Sequence, residues 1–512
     1  MNNSREAPFD VAIIGGGING TSAARHLAAA GYSVVLLEKG DFGCGATSRS
    51  TRVLHCGLRF LETGEPFWKT LARPGNLIRS LESARRYMRM RSELASSIPE
   101  RVFPFTCFLP VYADDRFSSW QVGLALSVLK AIGPKDVPLA PGRLSLEQAS
   151  QHPLLRHLRD RTKLTAIHTF REYRHDWPER MAVDNAMDAR RMGAAVRNYA
   201  AVTGLRRLTN GVWSLAVSEG GRETALEAKL ILNTAGPWID RVNGLANGSA
   251  RSRVIGTKGA HIVLKLPDAC RGFGLVNIMS DGMPAYLVPW RHTHHFGPTD
   301  TKFDGDIDDI RVTAEEVEFL LDEVNRLIPG AGITRRHIVG TWAGVRPWTN
   351  EVQPGRKRVM HSVLHDMSDD GMDGVFALTG ASVTSHRESG RMIVAKIRER
   401  LTPSGQPIPF DYAIPRPQQD SGTPLLNSDP EITVERLRHA ARNEQVAHLA
   451  DLLMRRVGAD YAETKAVGIA ENAARAVADI LGWDEKRIAE EVKTYTAAVE
   501  HLYGLPGKET VR

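Results

Sequence analysis

The stretch FDVAIIGGGINGTSAARHLAAAGYSVVLLEKGD, residues 9–41, decides the fold. Its first six residues, Phe9 to Ile14, are an apolar run that reads as a short buried strand. Gly15, Gly17 and Gly20 follow with the spacing G-x-G-x-x-G. Thr21 to Ala30 is rich in helix formers, and Gly31 ends that helix. Tyr32 to Leu37 reads as a second strand, with Glu38 at its end. Strand, glycine turn, helix, strand and acid, in that order, predict a dinucleotide site in an α/β fold. Gly15 permits the tight turn, Gly17 lets backbone N–H groups approach a pyrophosphate, and Gly20 lets the helix pack close to the strand. The helix N-terminus, which carries Asn19, faces the phosphates with its partial positive charge. Glu38 can accept both hydroxyls of an adenosine ribose and would repel a 2′-phosphate.

The residues after Glu38 separate two kinds of dinucleotide. Residues 39–62, KGDFGCGATSRSTRVLHCGLRFLE, are rich in Gly, Ser, Thr and Arg and poor in secondary-structure signal. A nicotinamide enzyme would usually proceed to another helix and strand. A long polar loop suits FAD lying extended along the protein, so Lys39, Thr47, Ser48, Ser50, His55 and Gly57 are cofactor-binding candidates. Ala200 to Val202, after a predicted helix over 179–193, reads either as a backbone contact to adenine through Val202 or as an ordinary strand. Leu230 to Asn233 is a short buried strand that returns the chain to the cofactor at Ala235 and Gly236. Val375 to Leu378 is another, and the helix after Gly380 would point its N-terminus, with Thr384, at the flavin.

Composition bounds the rest. A chain of 512 residues is too long for one core, which predicts two or three domains. Hydrophobic content of 42% with 24% charged residues is that of a soluble globular protein. There is no apolar run of about 18 residues and no signal-peptide core at the start, so the expected location is the cytoplasm. Four cysteines without metal-ligand spacing suit free thiols in a reducing compartment. No zinc motif, P-loop or nucleic-acid-binding stripe is present, and a formal charge of +7 is a weak signal at this length. Residues 64–100 interleave basic and aromatic side chains, and residues 109–133 are the most apolar helical stretch. Either would suit peripheral contact with the inner face of a membrane or packing on the protein's own core. A proline-rich linker, residues 415–431, precedes two stretches with helical periodicity, read as a small C-terminal helical domain for packing or homodimerisation.

Residues 13–62 resemble the N-terminus of the FAD-dependent glycerol-3-phosphate dehydrogenases. The resemblance recurs, in the family's order, at LILNTAGPWID (230–240), GTKGAHIVL (256–264), VPWRHTHHFGPTDTKFDGD (288–306), GTWAGVRPW (340–348) and LTGASVTSHRESGRMI (378–393). It implies a Rossmann-like FAD-binding domain in three pieces, 1–100, 165–250 and 350–400. It also implies a mixed-sheet substrate domain from 101–164 and 251–349, followed by a helical cap over 430–512. It further implies oxidation of glycerol 3-phosphate by hydride transfer to flavin, with quinone as electron acceptor. His261 matches the family's active-site histidine, a base for the hydroxyl proton, and Arg346 its arginine near the carbinol. Arg59 matches a phosphate contact, Arg358 is chosen for a further substrate arginine, and Thr299 with Asp300 matches a pocket turn.

Three departures bear on the substrate. Ser382 stands where the family has lysine, Phe60 where it has tyrosine, and Cys56 where it has glycine. Arg387 or Lys357 is a nearby cation that could replace the lysine; otherwise the substrate is another polyol phosphate, such as erythritol phosphate. Two further readings stand beside these: an amine or amino-acid oxidase on the same flavin fold, and a flavin-holding scaffold without turnover.

Overall fold

The computed structural model describes residues 7–58, 74–351, 361–412, 422–426, 429–461 and 465–506. Two large sheets organise it. In the first, β1 (Phe9–Ile14) pairs in parallel with β2 (Val34–Leu37) on one side and with the end of the strand Arg222–Asn233 on the other. The strands 195–197 and 375–379 extend it at either side, and 363–366 closes it antiparallel. Both faces are covered, which is why these strands are continuous apolar runs rather than alternating ones. Val11, Ile13, Val35 and Leu36 have at most traces of exposed surface.

Helix α1 (Ile18–Ala29) lies on this sheet between the helices Pro178–Arg191 and His386–Arg398. It is buried on nearly every side, so Ala23, Ala24, Ala28 and Ala29 suit it: small side chains allow three helices to approach closely.

The second sheet has ten strands and is mixed, with antiparallel pairs dominating. One side is the long pair Val102–Tyr112 and Leu164–His175, the other is Val254–Leu264 against Ile338–Thr349, and the strands Phe273–Ile278, Pro284–Trp290 and Thr293–Gly297 lie between them. Val53 and Leu54 add a short strand at its edge, paired with Arg174 and Tyr173. The loop that leaves the flavin-side sheet thus enters the other one. For the same reason the domain boundary expected at residue 165 cuts a strand of the second sheet; the flavin-side chain resumes with the helix Pro178–Arg191. The stretch expected as one helix over 109–133 is the end of a strand, a turn, and a helix Ser119–Ile132.

The helices Val434–Asn443, Ala470–Leu481 and Glu485–Tyr503 form a separate hydrophobic cluster around Leu437, Leu449, Leu452 and Tyr495. Among the described residues, no helix is long and apolar enough to cross a membrane.

Candidate active site

A cleft of about 750 Å³ runs between the two sheets. Its walls include the glycine turn, the loop after Glu38, residues 200–202 and 234–238, Arg346 and residues 380–384. Two ends can be distinguished by their chemistry.

At the first end the walls are mostly backbone. Gly15 adopts φ +104, where a side chain is strained, and a Cβ there would sit 2.8 Å from the Ala235 Cα. A Cβ on Gly20 would come within 1.9 Å of the Gly15 carbonyl oxygen, so only glycine lets α1 start this close to the turn. Glu38 accepts N–H bonds from Gly16 (2.6 Å) and Gly40 (2.8 Å), which fix its carboxylate at the wall. Burial raises its pKa, and the two N–H groups oppose that shift. The Thr47 hydroxyl accepts from Ile18 N–H at 3.0 Å and so joins the polar loop to the start of α1. Asn19 also lines the cleft, and its Oδ1 is buried without a hydrogen-bond partner among the described residues. A buried carbonyl oxygen left unpaired is costly, and a bound ligand would satisfy it. The cradle of glycines, the carboxylate fixed at the wall and this orphaned atom fit FAD.

Lys39, Ser50, His55, Val202, Ala235, Gly236, Gly380 and Thr384 line the same cleft, along with Gly15, Gly17, Glu38 and Thr47. Lys39 is at the rim, bonded to Asp308 at 2.7 Å with its ammonium 4.3 Å over the Trp238 ring. Two expected cofactor residues point elsewhere. The Ser48 hydroxyl donates back to the carbonyls of Cys44 and Gly45, because residues 46–49 form a tight helical turn. Gly57 packs against the helix Pro74–Ser97, where a Cβ would lie 3.0 Å from the Ala84 Cα.

At the second end the walls are side chains from separate strands. Arg346 projects from the strand Ile338–Thr349, opposite Thr257. Its guanidinium crosses Gly259, where a Cβ would fall 2.1 Å from Nη2. Nη1 donates to the Thr299 carbonyl and to Asp300 Oδ1, both at 3.3 Å, which leaves the side chain 29% exposed to the cleft. Thr299 itself is buried behind the wall, its hydroxyl accepting from Ala260 N–H at 2.8 Å. It brackets the arginine and does not face a ligand. His55 lines the cleft with its ring 5.1 Å from that of Tyr286.

His261 departs from expectation. It is 1% exposed and does not line the cleft; it stacks on Trp342 and meets the Thr51 hydroxyl through Nε2 at 3.1 Å. Thr51 is the residue in the wall. Burial first, then His295, Arg346 and Arg52, push the His261 pKa well below the ordinary histidine value. Arg387 is also displaced from its expected role. It turns out of the cleft, donates to Ser97 Oγ at 2.7 Å and lies 4.0 Å over the Tyr412 ring. Ser382 does line the cleft, but its hydroxyl and that of Ser385 are tied to each other's backbone N–H. Arg59, Lys357 and Arg358 lie outside the described residues.

The cleft also contains residues that sequence reasoning passed over. Trp238 and Arg241 stand beside Lys39 and share Asp308 with it. His175 lines the wall, 1% exposed, with neither ring nitrogen hydrogen-bonded among the described residues. Its place at the end of a strand carries no motif that would have marked it.

The family described as "FAD dependent oxidoreductase" matches residues 10–395, and that described as "C-terminal domain of alpha-glycerophosphate oxidase" matches residues 410–488. A glycerol-3-phosphate dehydrogenase of Synechocystis sp. is 32% identical over 416 residues, covering 78% of this chain and 72% of that protein. An alpha-glycerophosphate oxidase of Streptococcus pneumoniae is 30% identical over 353 residues, 67% of this chain and 55% of the oxidase. The structure of the glycerol-3-phosphate dehydrogenase from Bacillus halodurans, complexed with FAD, shares the fold at a TM-score of 0.72 and 20% identity, over 99% of this chain and 97% of that one. With the cleft described above, these findings make the protein an FAD-dependent oxidoreductase. The chain belongs to the family of FAD-dependent glycerol-3-phosphate dehydrogenases and oxidases.

Proposed function

We propose that the protein oxidises sn-glycerol 3-phosphate to dihydroxyacetone phosphate and passes the electrons to a quinone. One observation carries the reading: a single cleft joins the glycine turn, Glu38 and Asn19 at one end to Arg346 and His55 at the other. When bound, FAD supplies the acceptor for the hydride of the carbinol carbon. Gly15, Gly17, Asn19 and Glu38 hold its ADP half, and residues 380–384 border the rest.

Arg346 stabilises negative charge as it grows on the substrate oxygen. Its bonds to Thr299 and Asp300 set its direction before substrate arrives, so little reorganisation is needed. His55 takes the hydroxyl proton, because it is the half-buried histidine of the wall, whereas His175, which also lines it, is buried. His261 has a positioning role: its Nε2 holds the Thr51 hydroxyl that faces the cleft. Protonating it there would place a further positive charge beside Arg52 and Arg346. Arg59 is kept for the substrate phosphate, on the motif alone.

Quinone rather than oxygen is supported by the helix Ser119–Ile132. Trp120 and Leu124 on it are 60% and 45% exposed, an apolar face that suits a membrane surface. A second reading is favoured by Ser382. Where the family has a lysine, this cleft has a serine engaged with Ser385, which leaves room and less charge for a longer polyol phosphate such as erythritol phosphate.

The test is an anaerobic titration of the FAD-loaded protein with glycerol 3-phosphate and erythritol phosphate in parallel, following flavin absorbance. Bleaching by glycerol 3-phosphate supports the first reading, and bleaching by erythritol phosphate alone moves it to the second. Bleaching by neither overturns both. Reoxidation of the bleached protein by a soluble quinone or by oxygen then decides the acceptor.

A further inference from the structure

The loop that carries Glu38 is gripped from behind by the C-terminal helical region, through buried charges that the proposed chemistry does not use. Asp41, three residues after Glu38, is fully buried. Its Oδ2 accepts from Arg456 Nη1 at 2.7 Å and Arg455 Nε at 2.5 Å, and its Oδ1 accepts from Arg456 Nη2 at 2.8 Å. Asn198 Nδ2 completes the set at 3.0 Å. The two arginines hold the Asp41 carboxyl well below the ordinary carboxylate range despite its burial.

Both arginines sit on one wide helical turn, Asp451–Arg456. The same turn reaches the Glu38 side of the cleft. Arg455 Nη2 donates to Asp451 Oδ1 at 2.7 Å, and the Tyr199 hydroxyl donates to the same oxygen at 2.5 Å. Tyr199 N–H in turn donates to the Gly40 carbonyl, and Ala200 N–H to that of Glu38. Residues 38–41 are therefore clasped between the strand that leads to Val202 and the C-terminal turn. A second grip lies further along the loop. Arg52, in the cleft wall, donates to the hydroxyl of Tyr461 at 3.3 Å, and that hydroxyl also bonds Glu179.

We propose that the Asp451–Arg456 turn is a cofactor-retaining clasp: it holds the loop bearing Glu38 in the geometry that accepts FAD, and bound FAD in turn holds the C-terminal region in place. The physical reason is that a bidentate, fully desolvated arginine–carboxylate set has no partial state. If the turn leaves, Asp41 is an unpaired buried charge, and the loop must open to hydrate it. Glu38 would move with that loop. Linkage makes the coupling reciprocal: whatever the turn adds to FAD affinity, FAD adds to the turn's stability. Asp41, Arg455 and Arg456 are positioning residues, remote from the reacting atoms, and the inference holds for any substrate.

Two measurements test it on the full chain. In the first, FAD affinity is measured by fluorescence titration of the FAD-stripped protein, with its melting temperature as a control. Arg456→Gln is expected to weaken FAD binding by about tenfold or more, since it leaves Asp41 incompletely paired. The double variant Asp41→Asn with Arg456→Gln, whose amides can pair without charge, is expected to recover most of that loss. A folded Arg456→Gln with a lower melting temperature but unchanged FAD affinity would overturn the proposal, leaving a purely structural contact. The second measurement needs no variant and so stands if Arg456→Gln does not fold. FAD addition to the wild-type stripped protein is expected to slow amide exchange in residues 451–456 as well as in 38–45. Slowing confined to residues before 412 would equally overturn it.

Discussion

At the nucleotide end of the cleft the wall is built from backbone; at the reaction end it is built from side chains. Gly15, Gly16, Gly20 and Glu38 come from one unbroken segment, and each acts by local geometry: a positive φ, a close approach, a carboxylate turned back onto the N–H groups of its own turn. Arg346, Thr299, Gly259 and the pair Thr51 and His55 come from segments far apart in the chain, brought together by the second sheet and the loop that enters it. The nucleotide end is thus a local motif that tolerates no added atoms. The reaction end is an assembly of side chains whose proposed work rests on charge and on a proton acceptor.

That contrast is breakable by experiment. The largest effect belongs to Arg346→Ala. It should lower kcat/KM by about a thousandfold, as loss of a preorganised charge-stabilising group does, while FAD stays bound. Loss of flavin from that variant would show that the two ends are not separable. His55→Asn should cost about a hundredfold in kcat, with the acidic limb of the pH–rate profile altered. His261→Asn should cost less, because it acts through Thr51; if it costs more, the two histidines exchange roles. Gly20→Val should weaken FAD binding by about a hundredfold, seen as protein purified with little flavin, because its Cβ meets backbone that cannot yield.

A further effect is on stability and comes from neither end alone. His26 and His294 have pKa values lowered to about 4, and His175 and His295 to about 3, all chiefly by burial. Below about pH 6.5 the unfolded chain takes up protons at these positions and the folded chain does not. The unfolded state then binds more protons, so stability falls as pH drops from about 6.5, and the fall levels off once the folded-state values are passed. Urea unfolding midpoints of the FAD-stripped protein at pH 7, 6 and 5 should decline in that order, and a flat series would contradict the burial argument.

The same contrast explains what could be read in advance. The glycine turn, α1, β2 and Glu38 are legible because spacing alone encodes them. Arg346 was legible as a candidate, but not Gly259 on the paired strand, which makes room for it. His261 and Arg387 were misplaced for one reason: a motif names a residue, while the direction of its side chain depends on strands and helices packed later in the chain. Trp342 covers His261 on one side, and Tyr412 draws Arg387 away from the cleft. Ser48 and Gly57 were misassigned because a polar loop predicts contact with the cofactor at all its positions, whereas a tight turn exposes only some of them.

The sequence by itself determined a dinucleotide-binding α/β unit, its preference for FAD, and the family to which the chain belongs, because these rest on short-range geometry and ordered motifs. Tertiary structure alone decided which histidines line the cleft, which arginines remain in it, and that Asp41 is held by Arg455 and Arg456 from the far end of the chain. Burial, pairing and direction are properties of neighbours in space, and neighbours more than 400 residues apart in sequence leave no spacing to read.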